Sequence, residues 1–219
     1  MAAVMELMQL TFSLTENISA KATEIKNQLT ISSDQFVFIF IGRIVQDKGI
    51  AELVKAFVQL ESKHNNICLL LVGPFEPELD PLPEETIQSI ETNPNIVHAG
   101  FQSDVRPYLA LSDALVFPSY REGFPNVPMQ AGCFNLPSIV TDINGCNEII
   151  EHNRNGLIIP PKNAEALKEA MEKILTDEGL YITCKENARK MITERYDQNL
   201  FWRSLLAEYQ LLLARNKIT

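Results

Sequence analysis

A chain of 219 residues can bury roughly 70–75% of its unfolded surface, which leaves room for one compact domain with a sizeable core and extensions. A hydrophobic content of 46% against 21% charged residues describes an ordinary soluble globular protein, and no apolar run approaches the roughly 20 residues a membrane span needs. With 19 Lys and Arg against 28 Asp and Glu, the net charge of -9 argues against nucleic acid as a bulk partner, because neutralising phosphates needs a basic face.

Residues 1–14, MAAVMELMQLTFSL, lack a basic n-region and an A-x-A cleavage site, so no signal peptide is expected and the cytoplasm is the default location. Residues 1–33 read as an N-terminal extension or truncated linker, with a helix expected within 15–32. Phe36 to Ile41 is a run of six apolar residues between Asp34 and Gly42, the pattern of a strand buried on both faces. Ile50, Leu53, Val54, Phe57 and Leu60 then form one helical stripe. A strand follows at Ile67 to Val72, a helix around Glu84 to Glu91, a short strand at Asn95 to His98 and a helix from Val105 to Leu111. Strands at Ala114 to Phe117, Ser138 to Thr141 and Gly156 to Ile159 complete the alternation. That order predicts βαβ units in an α/β fold: a Rossmann-like, doubly wound, mostly parallel sheet with helices on both faces, spanning residues 34–176. From Asn163 the pattern is wholly helical (Ala164 to Thr176, Gly179 to Arg195, Asp197 to about Ala214), and residues 177–219 are expected to pack on the same domain.

Ligands of open α/β sheets bind outside the carboxyl ends of the strands, so the loops there carry the interest. The first, Gly42-Arg43-Ile44-Val45-Gln46-Asp47-Lys48-Gly49, brackets a short loop with two cations and ends at a helix start, where free N–H groups favour an anion. It fits a diphosphate, though it is neither a Walker loop nor G-x-G-x-x-G. Taken alone, it fits a decorated surface loop as well. The second, REGFPNVPMQAG from Arg121 to Gly132, places Glu122, Gly123 and Phe124 before Pro125, a residue suited to the first helical position. The N–H groups of Gly123 and Phe124 would face a bound oxygen and Glu122 would accept hydroxyls, with Gln130 about 7.5 Å further along the helix. A lone surface acid is the competing account. For the third, Thr141 to Glu148, the pair Asn144-Gly145 reads most simply as a tight turn.

The remaining chemistry is thin. His64, His98 and His152 lack ligand spacing, so no metal site is expected. Cys68, Cys133, Cys146 and Cys184 have no C-x-x-C spacing and read as buried, idle thiols. Ser119 has no recognisable base and no G-x-S-x-G elbow surrounds it, which disfavours a hydrolase.

Five stretches in unbroken order, IGRIVQDKGI, LLLVGP, NIVHAGFQSDVRPYLALSDALVFPSYREGFPNVPMQAG, LPSIVTDINGCNEII and NGLIIPPKNAEALKEAM, resemble the C-terminal, donor-binding domain of retaining glycosyltransferases of family 4, which have the GT-B fold. Within that family the chain looks closest to enzymes of bacterial capsular or lipopolysaccharide assembly. By this resemblance Gly42, Arg43 and Lys48 would hold the diphosphate of a nucleotide-sugar donor. Glu122 would be the first acid of the E-x7-E motif and contact the sugar, with Gly123, Phe124 and Pro125 beside it. Phe101 and Val105 would lie near the base. Position 130, whose acid in the family binds the ribose, is Gln130 here, and Pro128 removes an N–H where the first helical turn should close, so a distorted or later helix start is expected.

GT-B enzymes resemble two facing Rossmann-like domains, and an acceptor-binding N-terminal domain would take about another 150 to 200 residues. The chain is therefore expected to be a donor half that alone transfers little or no sugar. A glycan or lipid-linked acceptor, and any membrane contact at the inner face of the plasma membrane, would be met through the other half. No metal is expected, since cationic side chains and helix dipoles would stabilise the departing nucleoside diphosphate. Competing readings are a GT-B epimerase or phosphorylase fragment and a non-catalytic nucleotide or sugar-phosphate binding module. A receiver-like signalling domain is disfavoured because Gly42-Arg43, not an acidic pair, follows the first strand.

Overall fold

The computed structural model describes residues 14–78, 80–196 and 198–216. The expectations for residues 1–13 and for a helix start at Asp197 fall outside these. Six strands, β1 (Phe36–Ile41), β2 (Ile67–Val72), β3 (Ile96–His98), β4 (Ala114–Phe117), β5 (Ser138–Thr141) and β6 (Gly156–Ile159), form one sheet in the order β3-β2-β1-β4-β5-β6. Every pairing is parallel, with Phe36 opposite Ile67 and Ile41 opposite Val72 across β1 and β2, and Phe38 opposite Ala114 across β1 and β4. The apolar runs are continuous because both faces are covered: β2, β4 and β5 are buried from end to end, as is β1 after Phe36. This is the doubly wound sheet the alternation predicts.

The helices are α1 (Glu16–Gln28), α2 (Ile50–Glu61), α3 (Glu84–Thr92), α4 (Arg106–Ala110), α5 (Asn126–Cys133), α6 (Cys146–Ile149), α7 (Ala164–Thr176), α8 (Glu178–Arg195) and α9 (Gln198–Asn216). The stripe Ile50, Leu53, Val54, Phe57 and Leu60 is wholly buried on α2, which packs against α7. In the same way α5 packs against α8, and α1 against α4. Side-chain caps set several boundaries. Asn163 accepts from the Ala166 N–H (2.9 Å) to open α7. The Asp177 carboxylate accepts from the Leu180 N–H (2.9 Å), so α8 begins at Glu178, one residue before the expected Gly179.

Two expectations are corrected. Pro125 is not the first residue of α5 but its N-cap, with φ -74° and ψ 132°, and Asn126 leads the helix. Pro128 therefore stands third in the helix, where an N–H has no intrahelical partner in any case; the helix starts one residue later than Pro125, and its first turn closes around Pro128. The ends of β3 and α4 also retreat by a residue, to Ile96 and to Arg106–Ala110. All four cysteines are buried free thiols.

Candidate functional site

From β1 the chain passes to β2 and β3 on one side, and from β4 to β5 and β6 on the other, so the winding direction reverses between β1 and β4. That reversal opens a crevice at the carboxyl ends of the two strands. Two loops meet across it. After β1 the chain runs through Gly42 and Arg43 into a single 3-10 turn, Gln46–Lys48, and enters α2 at Gly49. After β4 it runs from Pro118 to Pro125 and enters α5. Gly49 is required at the junction: its φ is 71°, and a Cβ there would lie 2.2 Å from the Pro118 carbonyl oxygen. The Tyr120 N–H donates to the Asp47 carbonyl (2.9 Å) and closes the contact from the other side.

Across this junction Lys48 Nζ lies 2.6 Å from Glu122 Oε1, joining residues 74 positions apart. Their side chains are 15% and 17% exposed, so the pair is largely withdrawn from water, where each charge depends on the other. Arg43 is different. It is 41% exposed and meets Glu76 at 3.4 Å, a contact worth little by itself. Arg43 also lines a cavity of about 610 Å³ at the strand ends, together with Asp47, Asp80, Tyr120, Arg121 and Lys162. The Lys162 ammonium sits 4.7 Å above the centre of the Tyr120 ring. The Tyr120 hydroxyl receives a hydrogen bond from Gln46 Nε2 (3.0 Å) and donates to Glu52 (2.8 Å). Burial, and then the Glu52 carboxylate, raise its pKa, so the phenol stays protonated.

The third loop does more than turn. Asn144-Gly145 forms the expected turn, but Gly145 has φ 79° and a Cβ on it would lie 2.4 Å from the Gly123 carbonyl oxygen and 3.0 Å from Phe124 Cα. The β5 loop is thereby pressed against the Glu122 loop from behind. The N–H groups of Gly123 and Phe124 have no hydrogen-bond partner among the described residues, and the Phe124 ring packs edge-on against Tyr196 (5.7 Å between centres). Beside them the buried Cys146 thiol has its pKa pushed up to about 12, by burial first and then by the Glu122 carboxylate, which leaves it inert.

Of the residues singled out from the sequence, Lys48, Glu122, Gly123, Phe124 and Pro125 converge at the crevice, and Arg43 looks into the neighbouring cavity. Gln130 is half-buried on α5, and its side chain makes no hydrogen bond among the described residues. Phe101 is 72% exposed beyond edge strand β3 and Val105 caps α4; neither lines the cavity. Sequence reasoning missed Tyr120, Asp80 and Lys162, and weighed Ser119 only as a nucleophile and set it aside. Ser119 and Tyr120 stand within three residues of Glu122, so adjacency to the motif was the available signal.

The model of the family described as "Glycosyl transferases group 1" matches residues 21–191. The capsular polysaccharide biosynthesis glycosyltransferase CapM of Staphylococcus aureus is 32% identical over 185 residues, covering 84% of this chain and 48% of its own length. Among solved structures, Anabaena HepE in complex with UDP and glucose superposes with a TM-score of 0.77 at 22% identity, covering 90% of this chain and 55% of its own. The C-terminal domain of a group 1 family glycosyl transferase, LpcC of Francisella tularensis, gives a TM-score of 0.74 at 22% identity, covering 86% of this chain and 97% of that domain. This chain thus spans about half the length of the relatives it matches.

Proposed function

The chain belongs to the glycosyl transferases group 1 family, and we propose that it is the donor-binding half of a retaining glycosyltransferase that passes a sugar from a nucleotide to a growing polysaccharide or lipid-linked glycan. The observation that carries this reading is the Lys48–Glu122 pair, a cation and a carboxylate held together at the point where the sheet reverses its winding. A diphosphate entering the crevice would compete with Glu122 for Lys48 and meet Arg43 from the cavity side. The freed carboxylate and the unpartnered N–H groups of Gly123 and Phe124 are the groups left for sugar hydroxyls and phosphate oxygens. Gln130 would take the ribose through its amide, and Phe101 and Val105 would border the base. The UDP in the HepE complex supports a nucleotide donor, and the capsular role in the name of CapM supports a glycan acceptor.

In this reading the acceptor meets a further domain, and the departing nucleoside diphosphate is stabilised by Arg43 and Lys48 without a metal. Among the described residues no helix is long and apolar enough to cross a membrane. We place the protein in the cytoplasm, at most peripheral to the plasma membrane. Calorimetric titration of the chain with UDP, GDP, ADP and their common sugar conjugates tests the reading. One base should bind saturably, and Arg43→Ala and Lys48→Ala should each weaken it at least about tenfold, the effect of removing a charged hydrogen-bond partner. Absence of saturable binding at millimolar ligand would overturn it.

A further inference from the structure

Glu122 is held by more than its ion pair. The Ser119 hydroxyl, on a residue with no exposed surface, lies 2.8 Å from the same oxygen, Glu122 Oε1, that Lys48 contacts. Two other acceptors are near it, the Arg121 carbonyl at 3.2 Å and the Asp47 carbonyl at 3.4 Å, but a hydroxyl has one proton and the carboxylate is both the closest and the only charged acceptor. Ser119 is itself fixed from the end of β5, since its carbonyl accepts from the Thr141 hydroxyl at 2.5 Å. Oε1 therefore receives two donors, which fills its lone pairs. Oε2 has no hydrogen-bond partner among the described residues. It is not fully sealed either, on a side chain that is 17% exposed.

We propose that Ser119 is a positioning residue of the donor site: its hydrogen bond to Glu122 Oε1, made beside that of Lys48 in the free chain and kept when a donor draws Lys48 away, fixes the carboxylate so that Oε2 is the oxygen offered to the sugar. This rests on the donor-binding reading and adds how that site separates sugar from nucleotide. A carboxylate pinned by one oxygen does not turn to receive two hydroxyls side by side, so the loop favours sugars that place a hydroxyl at Oε2. When the diphosphate draws Lys48 away, Ser119 is the donor that keeps the orientation.

The test compares UDP with UDP-glucose, by calorimetry, on the wild-type chain and on Ser119→Ala, Ser119→Cys and Glu122→Gln, with the melting temperature of each recorded. Cysteine keeps the shape of serine in a slightly larger atom and offers only a weak donor, so with alanine it brackets the packing and separates loss of the hydrogen bond from loss of volume. In the wild type, UDP-glucose should bind more tightly than UDP. In both Ser119 variants UDP affinity should hold within about twofold, while the advantage of UDP-glucose falls about tenfold, toward that of Glu122→Gln, the lower end of what a hydrogen bond to a charged group is worth. Equal weakening of both ligands in step with the melting temperature would make Ser119 merely structural and overturn the proposal. So would an unchanged ratio, or a wild type that gains nothing from the sugar while still binding UDP. If the wild type binds neither, the same comparison is made with GDP and ADP and their glucose conjugates, and failure of all three bases would overturn the donor reading itself, and this inference with it.

Discussion

The strand-end loops and the last helix distribute charge and apolar surface in opposite ways. In the loops, Lys48 and Glu122 are drawn into the fold and satisfied there, Ser119 is sealed, and Gly49 and Gly145 let three loops touch backbone to backbone. On α9, Trp202, Leu206, Tyr209 and Leu211 to Leu213 are between 45 and 61% exposed, while α8 just before it buries Cys184, Ala188, Met191 and Ile192. Burying charge costs free energy that only a well-placed partner offsets, whereas exposing a leucine forgoes stabilisation without incurring strain. The loops have therefore been shaped by what they must hold, at some cost to stability, and α9 contributes little to the core it follows.

The largest effect expected from this contrast lies at Gly49. Alanine there would put a Cβ 2.2 Å from the Pro118 carbonyl while the backbone keeps φ 71°. We expect Gly49→Ala to lose about 2–4 kcal/mol, since strain and clash add, and the melting temperature to fall by roughly 5–10 °C. Gly123→Ala is the control from the same cluster. Its Cβ would meet nothing within 4 Å, and its φ lies outside the left-handed range, so a change below about 0.5 kcal/mol is expected. Equal costs at the two positions would show that the loops do not meet as described.

A smaller effect belongs to the ion pair. Lys48→Met and Glu122→Gln each leave one mostly buried group without its partner, and each should cost about 1–2 kcal/mol, less than a fully buried pair because water still reaches both side chains. The double variant should cost less than the sum by about 1 kcal/mol, read by denaturant melts in a double-mutant cycle. Additivity within about 0.3 kcal/mol would mean that the two charges do not support each other across the crevice.

The sequence made the sheet readable and the crevice only partly so, for one physical reason. A strand covered on both faces is apolar at every position, so Phe36 to Ile41 and Ile67 to Val72 announce themselves; the stripe of α2 does the same at helical spacing. That Arg43, Lys48 and Glu122 lie at the strand ends was legible through motif and family resemblance, but not the contacts they make. Lys48 meets Glu122 across 74 residues, and no local pattern encodes that distance. Ser119 was set aside for want of a base, although its role comes from the loops that bury it. Pro125 illustrates the same limit. A proline at the end of a loop suits a first helical position, yet Gly145, twenty residues on, packs the β5 loop against Phe124 and Pro125, and the helix opens one residue later.

The smallest effect is expected on α9, and its smallness is what makes it informative. Leu206 and Leu213 are 59% and 61% exposed, so replacing them with glutamine removes little buried apolar area. Leucine and glutamine also have nearly the same helix propensity, so the substitution does not weaken the helix on its own account. Leu206→Gln and Leu213→Gln should therefore each change the stability of the chain by less than about 0.5 kcal/mol, in contrast to Gly49→Ala in the loops. A thermal melt that drops by several degrees in either variant would show that α9 packs on the domain more closely than its exposure implies. The contrast drawn between the two regions would then fail at α9 rather than at the crevice.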